Sequence, residues 1–227
     1  MIKIKILICI VIGYFCTATI ALAQSHFAGT YLQAGIGYGV VNQNATQTVT
    51  LGSTVVGNAS LGNLKTVVGS IGLGHYWDVN SDFVLGLGVD FSPGASASSS
   101  FTVTSPVGLP PSSGSTQFKN GRNFYITPGY LLSSDQLIYA KLGYAQMTGV
   151  ASSAALTASD TLSGYSIGLG YKQIFANHFY GFAEWKYVSF QSVSTSASAP
   201  CLGYTCVIHS AGQPSGNDAI IGVGYSF

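Results

Sequence analysis

Few residues of this chain could do acid–base or nucleophilic chemistry. Histidines stand only at His26, His75, His178 and His209. None falls into a Ser-His-acid or paired-carboxylate spacing, the pattern in which a positioned base activates a nucleophile or water. The Gly-x-Gly strings lie inside alternating segments and open no helix, so they do not read as phosphate loops. Cys201 and Cys206, with Leu-Gly-Tyr-Thr between them, read most simply as a local disulfide in an exported chain. Two free thiols are the alternative, and a metal site with His209 would be short of the three or four ligands that zinc needs. No catalytic, cofactor-binding or metal-ligating residue is assigned.

Charge is the scarcest chemistry of all. Of 227 residues only eight are Lys or Arg and seven Asp or Glu, 7% in total, against about 25% in an ordinary soluble domain. Apolar residues make up 47% and aromatics 12%, which excludes a disordered chain. A net charge of +1 cannot supply the clustered cations that bind nucleic acid. An unusually apolar soluble fold and a membrane protein remain.

The first residues read as a secretory leader. Lys3 and Lys5 precede the apolar run Ile6 to Phe15, and Ala21-Leu22-Ala23 is a small-residue cleavage site before Gln24. Cleavage between Ala23 and Gln24 would leave residues 24–227 as one mature domain. The competing reading is an uncleaved anchor over Ile6 to Ala23, but the apolar core is short, and Thr17 and Thr19 interrupt the stretch after it.

From Gln24 onward no apolar run is long enough for a membrane helix. The apolar residues alternate instead. In Tyr31 to Val40 one face is Leu32, Ala34, Ile36, Tyr38 and Val40, and the other is Tyr31, Gln33, Gly35, Gly37 and Gly39, the period of a strand. The pattern returns at Thr66 to Tyr76, Phe83 to Phe91, Asn123 to Leu131, Leu137 to Ala145, Leu162 to Ile174, Phe179 to Val188 and Asp218 to Phe227. Ser70-Ile71-Gly72-Leu73-Gly74 recurs letter for letter at Ser166 to Gly170. No fixed period accompanies it, so it reads as a shared packing demand rather than a repeat.

The eight segments are joined by alternately short and long connections. Trp77 to Asp82, Leu132 to Gln136 and Phe175 to His178 are tight turns. Val41 to Lys65, Ser92 to Arg122, Gln146 to Thr161 and Ser189 to Asn217 are long. All long loops then lie at one end of the sheet, as in outer-membrane barrels. Their Ser, Thr, Ala and Gly content, as in Ala95 to Ser100, Pro110 to Thr116 and Ser192 to Ala199, predicts flexible polar segments. Phe101 to Thr104 extends a barrel strand outward in this reading.

A lipocalin-like barrel is the rival fold, with an apolar cup and a polar exterior. Here one face of each strand is bulky and apolar, as in Phe83, Leu85, Leu87, Val89 and Phe91, while the other holds Gly, Ser, Thr and most of the mid-strand charge. Glycine and charge cannot line a greasy cup, but they can fill a narrow lumen whose outside meets lipid. The expected fold is all-β, a transmembrane eight-stranded antiparallel up-and-down β-barrel. Tyr38, Trp77, Phe83, Phe91, Tyr130, Tyr171, Phe179, Trp185 and Tyr225 fall mostly near strand ends, where membrane barrels gather aromatic girdles.

The last strand carries a family resemblance. Ile221, Val223, Tyr225 and Phe227 alternate to the final residue, and this resembles the C-terminal assembly signal of outer-membrane barrels. The chain from Gln24 onward is similar to the small OmpA/OmpX-type family, which includes opacity-like surface antigens. That resemblance implies residence in a Gram-negative outer membrane, contact with its lipid and lipopolysaccharide, and insertion by periplasmic chaperones and the barrel assembly machinery. It transfers no single member's activity.

Strand parity turns Asp90, Lys141, Lys172, Glu184 and Lys186 into the lumen. Counting residues from the short turns pairs Glu184 with Lys141 and Asp90 with Lys186, because buried charges require partners. Such a network could be a gate or a plug, and eight strands leave room for little but side chains. Three functions are compatible with these features: a non-enzymatic surface-contact protein of the adhesin or antigen type, meeting a host or surface ligand through its loops; a small pore; and, with least support, a lipid-modifying enzyme.

Overall fold

The computed structural model describes residues 25–60, 62–95, 98–103, 112–153, 157–201 and 204–227. The expected leader and its Ala23-Gln24 cleavage site lie outside these residues. Among the described residues every regular element is a strand: β1 (Gly29–Asn42), β2 (Ala45–Leu51), β3 (Thr54–Ser60), β4 (Leu64–Asp78), β5 (Phe83–Ala95), β6 (Ser99–Val103), β7 (Ser112–Ser133), β8 (Gln136–Ser153), β9 (Thr157–Ala176), β10 (Phe179–Phe190), β11 (Val193–Cys201), β12 (Tyr204–Gly212) and β13 (Ser215–Ser226).

Eight of them close a barrel. The antiparallel order β5-β4-β1-β13-β10-β9-β8-β7 is completed by pairing of β5 with β7. Three of its short turns carry the chemistry such turns need. Asn80 accepts the Asp82 and Phe83 amide hydrogens on its side-chain oxygen, both at 2.9 Å. The Ser133 hydroxyl accepts the Asp135 amide at 3.3 Å, and Asn177 takes the left-handed conformation, φ 44°. The outer face is apolar and exposed, with Leu32, Ile36, Leu85, Leu87, Ile167, Leu169, Ile221 and Val223 all pointing away from the barrel. Phe83 packs edge-on against Tyr130, and Phe179 and Phe227 against Tyr225, in a ring near the short turns. Tyr144 and Tyr165 meet in the same way nearer the other end. These rings bracket the lipid-facing band.

The inward face is organised by glycine. Each of five lumenal tyrosines stands directly opposite a glycine on the neighbouring strand: Tyr31 opposite Gly74, Tyr76 opposite Gly86, Tyr125 opposite Gly88, Tyr139 opposite Gly170 and Tyr180 opposite Gly224. A Cβ at any of these glycines would meet the ring or its hydroxyl at under 3 Å. The missing side chain is therefore the seat of the ring, the cross-strand partner of an aromatic group. The repeated pentapeptide has the same logic. Gly74 and Gly170 seat Tyr31 and Tyr139, while Gly72 and Gly168 stand opposite Asp90 and Lys141. Each copy seats one tyrosine and one ion.

Beyond the bilayer the structure departs from the flexible loops expected from composition. The long connections are mostly strand. β11 and β12, and β2 and β3, form hairpins that join as a second sheet in the order β11-β12-β2-β3. Within the segment Phe101 to Thr104, residues Phe101 to Val103 lie in β6 and pair with β7, and Thr104 lies outside the described residues. Composition misreads these segments because their alternation sets Thr and Ser against mostly small residues, a contrast too weak to stand out from a polar loop. Their Thr and Val content still favours extended backbone.

Candidate functional site

The lumen is filled from its short-turn end upward. Phe27, just ahead of β1, is 2% exposed and joins Tyr31, Tyr76, Val84, Leu137, Tyr139, Ile174, Tyr180, Phe182 and Ile220 in one buried cluster. Ser25 and His26 hold it across the opening. The Ser25 hydroxyl donates to Asp78 at 2.6 Å, and His26 Nδ1 lies 2.7 Å from Asp135.

Within this packing sits Lys172, 1% exposed. Its ammonium lies 3.8 Å from the centre of the Tyr31 ring, 4.6 Å from that of Tyr180, 4.8 Å from that of Tyr76 and 5.5 Å from that of Tyr139. It donates to the Tyr180 hydroxyl at 3.4 Å, and among the described residues it has no carboxylate within 4 Å. An ammonium enclosed by ring faces is held by the aromatic quadrupoles, an attraction strengthened where water is excluded.

Above it lies the ionic layer. Lys141 reaches both Asp90, at 2.8 Å, and Glu184, at 2.5 Å, all three groups being nearly inaccessible. Tyr125 donates to Asp90 at 3.0 Å and Tyr139 to Glu184 at 2.9 Å. Each carboxylate thus holds an ammonium and a phenol, the satisfaction that burial of charge demands. Ser166 donates to Asn123 at 2.8 Å on the next level.

The five charges read from parity are all buried here, but one pairing differs. Asp90 is bonded to Lys141 rather than Lys186, and Lys186 pairs with Asp218 at 3.1 Å. Asp218 is the direct cross-strand neighbour of Lys186, facing Gly39 on its other side. Counting from the turns ignores barrel stagger and leaves Asp218 at the rim. Its parity with Ile220, opposite to the lipid-facing Ala219 and Ile221, is the signal that places it inside. With Asp218 the lumen holds Lys141, Lys172 and Lys186 against Asp90, Glu184 and Asp218, an equal number of each sign. The tyrosine cage is likewise absent from the sequence reading, although Tyr31 stands on the inward face of its segment.

Above the ionic layer a cavity of about 130 Å³ opens among Val68, Asp90, Phe118, Lys186, Phe190 and Asp218. Its lining includes Asp90 and Lys186 and, among the described residues, none of the five tyrosines. On the upper sheet Ser196 and His209 are cross-strand partners, with Ser196 Oγ 2.9 Å from His209 Nδ1. The pair is exposed, and among the described residues no carboxylate hydrogen-bonds the imidazole, so nothing orients it as a base. His75 rests beside Trp77 and Thr30, and His178 beside Tyr225, at the short-turn rim. Cys206 is disulfide-bonded. The side chain of Cys201, its expected partner, lies outside the described residues.

Solved structures share this shape. The chain is similar to the outer membrane protein OprG of Pseudomonas aeruginosa, with a TM-score of 0.57 and 14% identity over 89% of this chain and 98% of that one. It is also similar to the outer membrane protease OmpT of Escherichia coli, with a TM-score of 0.52 and 11% identity over 91% and 99%. At these identities the likeness is one of fold. No curated protein sequence matches. Residues 7–227 match the model of the outer membrane protein beta-barrel domain. The chain therefore belongs to the outer membrane protein β-barrel family and resides in the cell outer membrane, crossing it as a closed eight-stranded barrel.

Proposed function

We propose that this barrel is a sealed, non-enzymatic scaffold that holds extended strands outside the cell for contact with other surfaces. The observation that carries the reading is the contrast between its two ends. Below Asp90 the lumen is packed with buried rings and paired ions, the arrangement of a plug. Above it the chain spends β2, β3, β6, β11 and β12 on structure that spans nothing. Binding commonly resides on segments held by a rigid scaffold.

Whole-cell binding to host-cell layers and to abiotic surfaces tests the reading. Cells carrying the full chain are expected to bind more than cells in which residues 191–214 are replaced by a short turn. That cut spares Phe190 and Ser215, which belong to barrel strands. Equal binding by both, with both barrels folded, would leave the extracellular strands as passive cover.

A further inference from the structure

Beyond residue 23 the chain has six Lys and Arg residues. Lys141, Lys172 and Lys186 are buried in the lumen. Lys65, Lys119 and Arg122, the last being the chain's one arginine, stand toward the outer ends of β4 and β7. At the short-turn end the side chains of full charge are all acidic, Asp78, Asp82 and Asp135. This polarity suits an anionic partner at the outer interface.

Two of the outer cations are brought together by a break in strand regularity. Lys119 and Arg122 are three residues apart, and in a regular strand they would face opposite sides of the wall. Lys119 pairs with Thr148 and Arg122 with Gln146, so three steps along β7 match two along β8. The extra residue is a β-bulge at Asn120, whose φ is 54°. It turns both cations outward. Arg122 is the cross-strand partner of the lipid-facing Phe91, while Phe118 and Asn123, flanking the pair, are packed inward. Two strand steps separate the cations by about 7 Å. Among the described residues neither has a carboxylate within 4 Å. Asp160 on β9 shares its row with Gly149 and the inward Phe118, and so faces the other side of the wall.

On the membrane side of this pair the outer wall is hollowed. A shallow groove of about 380 Å³ runs among the exposed side chains of Leu87, Phe124, Ile126, Leu142 and Tyr144. Its floor is backbone, at Tyr125 and Gly143, whose parity is inward. Arg122, Phe124 and Ile126 are successive outward residues of β7, about 7 Å apart, so the cations crown the groove.

We propose that this wall holds one phosphorylated glycolipid of the outer leaflet, the lipid A end of lipopolysaccharide, with a phosphate on Arg122 and Lys119 and an acyl chain in the groove. Arginine's planar fork takes phosphate oxygens two at a time, and lysine adds a point charge. A phosphate monoester carries close to two negative charges at neutral pH, which matches two cations. The phosphodiester of an ordinary phospholipid carries one and fits less well. General lipid contact spreads evenly around a barrel, whereas this site is confined to the β5–β7–β8 wall. It is independent of what the extracellular strands touch.

Native mass spectrometry of the full chain in detergent micelles tests the proposal, with diphosphoryl lipid A as the probe. The unaltered barrel is expected to retain one lipid A, and Lys119→Gln combined with Arg122→Gln to weaken binding roughly tenfold. Leu142→Trp, which fills the groove, is expected to weaken it roughly fivefold. Lys65→Gln, on the same rim but on β4, is expected to change it by less than about twofold. Lipid A stripped of phosphate is expected to bind the unaltered barrel no better than intact lipid A binds the double variant. No retained lipid A, or unchanged affinity in the double variant, would overturn the proposal. A loss from Lys65→Gln equal to that of the double variant would reduce the site to diffuse attraction along the rim and overturn it too. Phosphatidylglycerol held as tightly as lipid A would give the wall to any anionic lipid and overturn the choice of occupant.

Discussion

Below and above the level of Asp90 the same chain builds two walls of opposite kinds. The lower wall is continuous, eight strands closed on themselves, and its inner face is a set of tyrosines and ions seated on glycines. Among the described residues the upper wall is split into two four-stranded halves, β11-β12-β2-β3 and β6-β7-β8-β9, with no ladder between them. The difference follows from solvent. In hydrocarbon an unpaired backbone group costs several kcal/mol, so the ladder must close. In water the same edge is hydrated and an interruption is tolerated. Joints at 43–44, 191–192 and 213–214 mark the level where the constraint ends, and Asn44 adopts φ 42° at one of them. Gln43, 3% exposed, ties the halves together there, accepting from Thr116 at 2.9 Å and donating to the Gly62 carbonyl at 3.0 Å.

If the lower region is the stable scaffold, substitutions should hurt most at its ionic layer. Lys141→Met leaves Asp90 and Glu184 buried with no ammonium between them and is expected to cost about 3–5 kcal/mol, read as a lowered urea midpoint in lipid vesicles. A cost near zero would mean that the carboxylates are hydrated and the lumen is wet. Gly170→Val places carbon atoms in the Tyr139 ring, which a Cβ at that position would strike, and is expected to cost about 1–3 kcal/mol by the same measurement. Gly62→Val, where a Cβ meets nothing, is the matched change in the upper region and should be near neutral. Lys172→Met keeps the length of the side chain but removes the charge from the tyrosine cage. It is expected to cost about 2 kcal/mol, and a gain in stability would show that the rings hold that position without a cation. A smaller effect than that of Lys172→Met belongs to Cys206→Ser. It should leave the global unfolding free energy within about 0.5 kcal/mol while amides of β11 and β12 exchange faster. An equal loss of global stability would join the two regions into one cooperative unit.

The sequence made the lower region legible and the upper one nearly opaque. Alternation of Phe83, Leu85, Leu87, Val89 and Phe91 against Val84, Gly86, Gly88 and Asp90 announces both a strand and its lipid-facing side, because one face meets hydrocarbon and the other does not. Parity likewise turns Lys141 and Glu184 inward. It cannot give the pairing of Asp90, since stagger around a closed barrel is set by all eight strands together and by no single one. Nor can it reveal that Gly74 and Gly170 are ring seats, which depends on strands far apart in sequence. In the upper region Val193 to Ala199 alternates Ser with Val, Thr and Ala, a contrast of small side chains too weak to separate strand from loop. The hairpin register of Ser196 with His209 and the long-range register of Gln47 with Ser210 exist only through pairing.

Conductance across planar bilayers containing the purified full chain tests the sealed lumen most directly. Packing of Phe27, Leu137 and the tyrosine cage beneath the Lys141 ion pairs predicts no steady channel, and none gained on removal of residues 191–214. Steady openings in the unaltered protein, changed in size or frequency by Lys141→Ala, would make the ionic layer a gate and contradict the plug.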